Sequence, residues 1–432
     1  MLHAEPPSQR LLALGGLGVE DLAERFGTPL YLLDRAELVG RMRAYRQVFG
    51  PQVDVVYAAK ALCVAGVLQL ATAEGLAIDV ASAGELATAI RAEVPPERIV
   101  FHGNNKSVEE LVAAAEYGVG RFVADSFVEL ERLSELGTVL DRDLTVLVRI
   151  TPGIQADTHR SISTGQDDSK FGFSLSAGLA HEAVARALKL PGVELLGVHC
   201  HIGSQVFALE AFERAASLLA GLLGDVRDRH GVVLAELNLG GGPGIAYTDR
   251  ERELPLERYA ETLGAAVQAA CDARGLPLPR LAVEPGRSIV GPAGVTLYTV
   301  GTVKKIPGVR TYLSVDGGMS DNPRPALYDA RYTFAAAGRP PGDPSPETRT
   351  VAVAGKHCES GDLLARDVTL PADLAEGDLL AVAATGAYTF ALASNYNRLP
   401  RPPVVLVGDG QAQVLVRRET LDEILARDVP LS

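Results

Sequence analysis

The chain has 432 residues, with 54 acidic against 41 basic side chains and a formal charge of −13 with histidine neutral, which argues against a nucleic-acid partner. A composition of 47% hydrophobic and 22% charged residues, at a mean hydropathy of +0.12, is that of a globular protein with more than one core and excludes disordered and collagen-like classes. Cys63, Cys200, Cys271 and Cys358 have no disulfide-scaffold, zinc or redox spacing, so a reducing cytoplasm is expected.

In chain order, nothing at the start reads as a signal peptide, and no run of about 18 apolar residues predicts a membrane span. Short β-branched runs then alternate with amphipathic stretches at 53–59, 77–82, 99–103, 121–126, 145–150, 194–200, 236–242 and 281–286. The first four start roughly two dozen residues apart and the later gaps are wider, the beat of repeated βα units. Three of the following helices are predicted to open with capping boxes, Ser82 with Glu85, Ser107 with Glu110 and Ser126 with Glu129. Eight such units predict a (β/α)8 TIM barrel, with chemistry at the C-terminal ends of the strands, and a doubly wound open sheet is the alternative.

After Pro285 the pattern changes. Runs at 295–306, 311–315, 348–353, 378–384 and 404–417 are strand-like without long helices between them, which predicts a β-rich, sandwich- or barrel-like C-terminal domain. Gly408-Asp409-Gly410 predicts a hairpin turn, and residues 335–347, with four prolines, predict an exposed loop.

The strand ends carry the candidate chemistry. Lys60 closes Tyr57-Ala58-Ala59-Lys60; it is either a solvated lysine or, partly buried, an amine able to form a Schiff base with a carbonyl. Gly240, Gly241 and Gly242 end strand seven, as a flexible turn or as backbone that approaches a phosphate. Glu284-Pro285-Gly286-Arg287 ends strand eight; the carboxylate could hold a cofactor's ring nitrogen and Arg287 an anion, or the two could pair. His199 and His201 lie two apart near Ser204, placing them on one face of a regular strand. A metal site there lacks a third ligand at convincing spacing, so no metal is expected; His201 better fits stacking on an aromatic cofactor and His199 a core position.

In the second domain Lys356-His357-Cys358-Glu359-Ser360-Gly361-Asp362 crowds reactive groups together, which suits a proton-transferring thiol as well as a packing cysteine. Arg324 and Tyr328, four apart, suit a substrate carboxylate or a surface ion pair. Tyr388 follows Gly386 at a strand end.

These motifs, in this order, resemble the diaminopimelate decarboxylases of the alanine-racemase-like, fold type III pyridoxal phosphate enzymes, from about residue 27 to residue 396. The resemblance implies a pyridoxal 5'-phosphate-binding barrel over 36–290. Residues 1–35 and 291–432 would form the β-rich domain that completes the site across a homodimer with shared active sites. It implies decarboxylation of meso-2,6-diaminopimelate at its D centre to L-lysine and carbon dioxide, the last step of lysine biosynthesis.

By the same resemblance Lys60 attaches the cofactor, His201 stacks on its ring and Glu284 contacts its pyridine nitrogen. Ser204, Gly240, Gly241, Gly242, Gly286 and Arg287 surround the phosphate or reach the substrate beside it. Arg287, Arg324, Tyr328 and Glu359 recognise the distal end of the substrate, Tyr388 touches cofactor and substrate, and Cys358 is the proton donor. Cys358 and Glu359 would come from the second subunit. Residues 158–165 and 169–172 resemble the family's substrate-selecting loop, with Arg160-Ser161, Pro243 and Asp329 as departures from its usual pattern. The rivals are a decarboxylase of another amino diacid or carrier-bound amino acid, a non-enzymatic pyridoxal phosphate-binding homeostasis protein, and a racemase, which would want a tyrosine base in place of Cys358.

Overall fold

A computed structural model describes residues 10–154, 165–166, 168–338 and 347–431. The chain divides into two compact units, one comprising 41–244 and 253–288, the other 1–40, 245–252 and 289–432.

In the first unit eight parallel strands close on themselves in chain order: Val53–Ala58, Ala77–Val80, Ile99–Phe101, Arg121–Ala124, Leu144–Thr151, Val193–Cys200, Glu236–Asn238 and Arg280–Val283. The expected TIM barrel is therefore present, and the open doubly wound sheet is not. A short ninth strand, Phe173–Ser174, runs parallel to the end of the fifth.

Alternation along the strands sorts the interior into layers. At the N-terminal end Arg121 donates to Glu236 at 2.8 Å and to Asp54 at 3.2 Å, and Arg280 donates to Asp54 at 2.7 Å. The first and fourth strands are not neighbours, so this network crosses the interior and plugs one end. Two residues further along, Val56, Val100, Val123 and Leu147 pack into a dry middle layer. Another two-residue step reaches the C-terminal mouth, where the inward positions turn polar.

The helices follow their capping signals only in part. Ser82, Ser107 and Ser126 each accept a hydrogen bond from the backbone of the glutamate three residues on. Of these three, Ser107 with Glu110 alone closes a reciprocal box. Glu85 reaches back one residue further to the backbone N–H of Ala81, and Glu129 accepts from the buried Lys106 ammonium and the Asp125 N–H. A tertiary lysine outcompetes the local cap at Glu129.

The second unit is organised around Gly294–Ile306, a strand of 13 residues that pairs with Leu30–Asp34, Leu379–Ala383 and Arg310–Val315. Its alternating side chains enter two cores, Val295 and Leu297 one, Tyr298 and Val300 the other. The hairpin Val404–Gly408 with Gln411–Val416 turns through Asp409 and Gly410. Both have positive φ, +54° and +69°, the two-residue turn that matches strand twist. Residues 335–337, expected in a loop, instead continue the strand Phe334–Ala337. The prolines of that predicted loop lie outside the described residues.

Candidate active site

The mouth of the barrel gathers around Glu284, which follows the eighth strand and is buried. One carboxylate oxygen faces His102 Nε2 at 2.9 Å and accepts from the Asn238 amide at 2.8 Å; the other faces His199 Nε2 at 3.1 Å. These partners come from the ends of strands three, seven and six. Burial alone would raise this carboxyl, but the two imidazoles and the hydrogen bonds they make hold it well below the usual carboxylate range. Burial pulls His199 down to about 4 against the opposing pull of Glu284, which leaves its ring neutral at pH 7. The carboxylate assigns the ring proton to Nε2, and His199 Nδ1 is buried without a hydrogen-bond partner. Oxygen and nitrogen atoms of His102, His199 and Glu284 lie within 4.8 Å of one another. That is also a metal-ligand set, but each imidazole Nε2 already faces a carboxylate oxygen at hydrogen-bond distance.

Lys60 lies beyond the first strand on the single turn Ala59–Ala61 and is exposed at the mouth. Asp79, on the second strand in register with Ala58, is buried with Oδ1 unpartnered. Burial raises its carboxyl, against the charges of His102 and Lys60. His201, half-buried just past strand six, is pushed well below the ordinary imidazole range by loss of solvent and by the Lys60 charge. The strand ends at Cys200, so His201 leaves the pleat and does not repeat the position of His199 as regular alternation predicts.

The glycine run is a close-packed passage rather than a flexible turn. A Cβ on Gly240 would stand 2.3 Å from the Cys200 carbonyl oxygen, on Gly241 2.1 Å from that of Glu284, and on Gly242 2.4 Å from that of Gly203. Backbone thus threads between the ends of strands six and eight where no side chain fits. Beside it Arg287 donates to Ser204 Oγ through Nε at 3.1 Å and Nη2 at 2.8 Å, so this arginine lies against a hydroxyl and Glu284 against imidazoles and an amide.

Behind the mouth Arg149 lies 3.6 Å from Asp125 and 4.2 Å from the centroid of the Phe171 ring. Asp125 accepts from Gly172 N at 2.8 Å, and Thr151 donates to the Phe171 carbonyl. The Ser169-Lys170-Phe171-Gly172 segment is therefore anchored, whereas residues 158–164, which carry most of the loop resemblance, lie outside the described residues.

The second unit holds the remaining candidates. Arg324 opens the helix Arg324–Tyr328, is buried, donates to the Tyr332 hydroxyl at 2.6 Å and lies 4.5 Å from the Tyr247 ring centroid. A surface ion pair is thus not its environment. Cys358 and Glu359 are exposed on the turn between Thr348–Ala354 and Leu363–Pro371, and Cys358 N donates to Asn397 Oδ1 at 3.0 Å. Tyr388 is held at φ +58°, a strained conformation for a tyrosine. By contrast, burial pushes the Cys63 and Cys200 thiols up to about 12, the behaviour of packing cysteines.

His102, Asp79, Asn238 and Arg149 were not singled out by motif. Each lies at or near the C-terminal end of an observed strand, but the predicted bounds put only His102 and Arg149 near an end, so strand position was a partial signal.

The family model for the pyridoxal binding domain of pyridoxal-dependent decarboxylases matches residues 35–291. Over 422 residues the chain is 48% identical to diaminopimelate decarboxylase of Bacillus subtilis, covering 97% of this chain and 95% of the relative. Over 419 residues it is 49% identical to that of Actinosynnema pretiosum, covering 97% and 92%. The crystal structure of diaminopimelate decarboxylase from M. jannaschii in complex with L-lysine superimposes with a TM-score of 0.89 at 33% identity, covering 96% of this chain and 95% of that one.

Proposed function

The chain belongs to the diaminopimelate decarboxylase family of pyridoxal-dependent decarboxylases, and from that premise we propose how its own residues divide the work. It catalyses pyridoxal 5'-phosphate-dependent decarboxylation of meso-2,6-diaminopimelate to L-lysine and carbon dioxide. One observation carries the residue assignments: a buried carboxylate at the end of strand eight kept ionised by donors from three other strands.

The residues fit the cofactor by their chemistry. Glu284 offers a negative charge for a pyridine N–H, the cation of Arg287 beside the side-chain-free glycine run suits a phosphate, and Lys60 is an exposed amine at the same mouth. When bound, pyridoxal phosphate supplies an electron sink for the charge left as carbon dioxide departs.

Lys60 would hold the cofactor through its Nζ amine. Glu284 keeps the ring-nitrogen proton in place, and His102, His199 and Asn238 keep Glu284 charged and oriented. His201, kept neutral by loss of solvent, would stack on the cofactor ring. Ser204, Gly240, Gly241, Gly242, Gly286 and Arg287 hold the phosphate. Arg287, Arg324, Tyr328 and Glu359 hold the distal L end of the substrate, so that the D centre is the one that loses carbon dioxide; Tyr388 contacts both cofactor and substrate. A site built for a distal carboxylate rejects amines that lack it, because its buried arginine is then left unpaired. Cys358 returns a proton to the carbon that lost carbon dioxide.

The enzyme acts as a cytoplasmic homodimer in which Cys358 and Glu359 serve the partner's site. The exposure of both side chains on one turn, and four cysteines none of which is paired, support this reading. Among the described residues no helix is long and apolar enough to cross a membrane.

Incubation with pyridoxal phosphate and meso-diaminopimelate should yield lysine and carbon dioxide in equal amounts. Borohydride reduction followed by peptide mass analysis should find the cofactor on Lys60; label on another lysine contradicts that assignment.

A further inference from the structure

The turn that carries Cys358 and Glu359 is braced by a buried pair, His357 with Asp362. Asp362 Oδ2 accepts from His357 N and faces His357 Nδ1, both at 2.8 Å, and Oδ1 accepts from Met319 N at 2.7 Å. The two side chains are 0% and 1% exposed. The backbone is tied as well, Asp362 N donating to the Glu359 carbonyl at 3.1 Å and Glu359 N to that of His357 at 2.8 Å. A Cβ on Gly355 would stand 2.1 Å from Asp362 Oδ2 and one on Gly318 2.5 Å from Oδ1, so the carboxylate is walled in.

The imidazole reaches further than the pair. Its ring lies parallel to that of Tyr396, with centroids 5.4 Å apart and planes 5° from parallel. The Tyr396 hydroxyl donates to Glu359 Oε2 at 3.4 Å, and the next residue, Asn397, accepts from Cys358 N at 3.0 Å. One histidine is thus linked to the backbone of the turn through Asp362 and to the glutamate carboxylate through Tyr396. The carboxylate assigns the ring proton to Nδ1, leaving Nε2 bare, buried and without a hydrogen-bond partner. An asparagine amide could also donate to Asp362 but has no ring to lie against Tyr396, so hydrogen bonding to Asp362 alone does not explain a ring here.

We infer that His357 is a positioning residue for the decarboxylation, fixing the Cys358 thiol through Asp362 and the Glu359 carboxylate through the face of Tyr396. The inference rests on Cys358 as proton donor and Glu359 as substrate contact, and its two arms separate by substitution. H357F keeps a ring against Tyr396 and removes the donor to Asp362. H357N keeps a donor for Asp362 and removes the ring.

In the holoenzyme, H357F should lower kcat about tenfold or more with a small change in KM, whereas H357N should raise KM for meso-diaminopimelate about fivefold with a smaller loss of kcat. Independently of turnover, the rate at which iodoacetamide alkylates Cys358, followed by peptide mass analysis, should change about threefold or more in H357F and less in H357N. Should H357F yield no folded protein, Y396L, at a ring 40% exposed, should reproduce the KM rise with His357 intact. C358A and E359Q serve as references. If both references lose activity while the His357 variants keep wild-type kcat and KM, the positioning role is wrong and the functional assignment stands. If C358A turns over fully, the donor assignment is wrong, and an unchanged alkylation rate in H357F then overturns the positioning role by itself.

Discussion

Two buried carboxylates, one in each unit, have opposite fates. Glu284 in the barrel is held well below the usual carboxylate range, whereas Asp321 in the β-rich unit is pushed up to about 7. Burial raises both. Glu284 is opposed by two imidazoles and an amide. Asp321 is opposed only by the Tyr298 hydroxyl and Gly318 N, with the carboxylates of Asp362 and Asp316 adding repulsion. The difference teaches that burial alone does not decide whether an acid stays charged: three donors, two of them imidazoles, hold Glu284 ionised, whereas two donors beside two repelling carboxylates do not hold Asp321. A charge maintained at that cost fits the ring-nitrogen role proposed for Glu284, and Asp321 reads as a joint that also accepts Tyr31 through its backbone carbonyl.

The contrast can be tested from its strongest consequence downward. K60A should abolish covalent cofactor attachment and reduce turnover by about a thousandfold or more, measured by absorbance of the bound cofactor and by lysine release. E284Q keeps the shape and removes the charge; kcat should fall about 100-fold or more, roughly 3 kcal/mol or more of transition-state stabilisation. D321N, the matching change in the other unit, should leave kcat within about threefold, and equal losses in the two variants would erase the distinction. R324K should raise KM about tenfold while kcat changes less, because an ammonium replaces neither the fork nor the stacking on Tyr247.

The smallest effect is in pH dependence. Asp321 has a folded pKa of about 7 against an ordinary value of 3.8, so the folded state binds the extra proton between those values. Its stabilising contribution is complete below about pH 4 and is lost as pH rises through about 7. Glu284 has the opposite sign: its contribution is complete above the ordinary carboxyl range and is lost in acid, as pH falls through its depressed folded value. Melting temperatures of D321N and the wild-type protein from pH 5 to pH 8 should therefore converge or cross in favour of the variant as pH rises. A constant difference would contradict the assignment to Asp321.

Much of this was legible in the chain. The spacing of β-branched runs placed all eight barrel strands, and Lys60, Glu284 and the glycine run were found because barrel chemistry collects at strand ends. The donors that keep Glu284 charged were harder to see. His102 and Asn238 are single residues in unremarkable runs; strand seven pairs directly with strand eight, but only closure of the barrel brings the end of strand three within reach of Glu284 across the mouth. The incomplete cap at Ser126 went the same way, since Lys106 claims Glu129 across 23 residues, whereas Glu85 at Ser82 turns to the local Ala81 N–H. Likewise His357 reads in the sequence as one of several reactive groups crowded around Cys358, whereas folding directs its ring to Asp362 and Tyr396. Local pattern therefore located the strand-end groups, and the partners that set their charge and aim emerged only from long-range packing.

The most direct test of the functional account is a side-by-side measurement of kcat/KM for meso-diaminopimelate, L-ornithine and L-lysine on the purified holoenzyme. Recognition of a distal carboxylate by a buried arginine predicts a preference for meso-diaminopimelate of about a thousandfold or more. Comparable release of carbon dioxide from ornithine or lysine would contradict it.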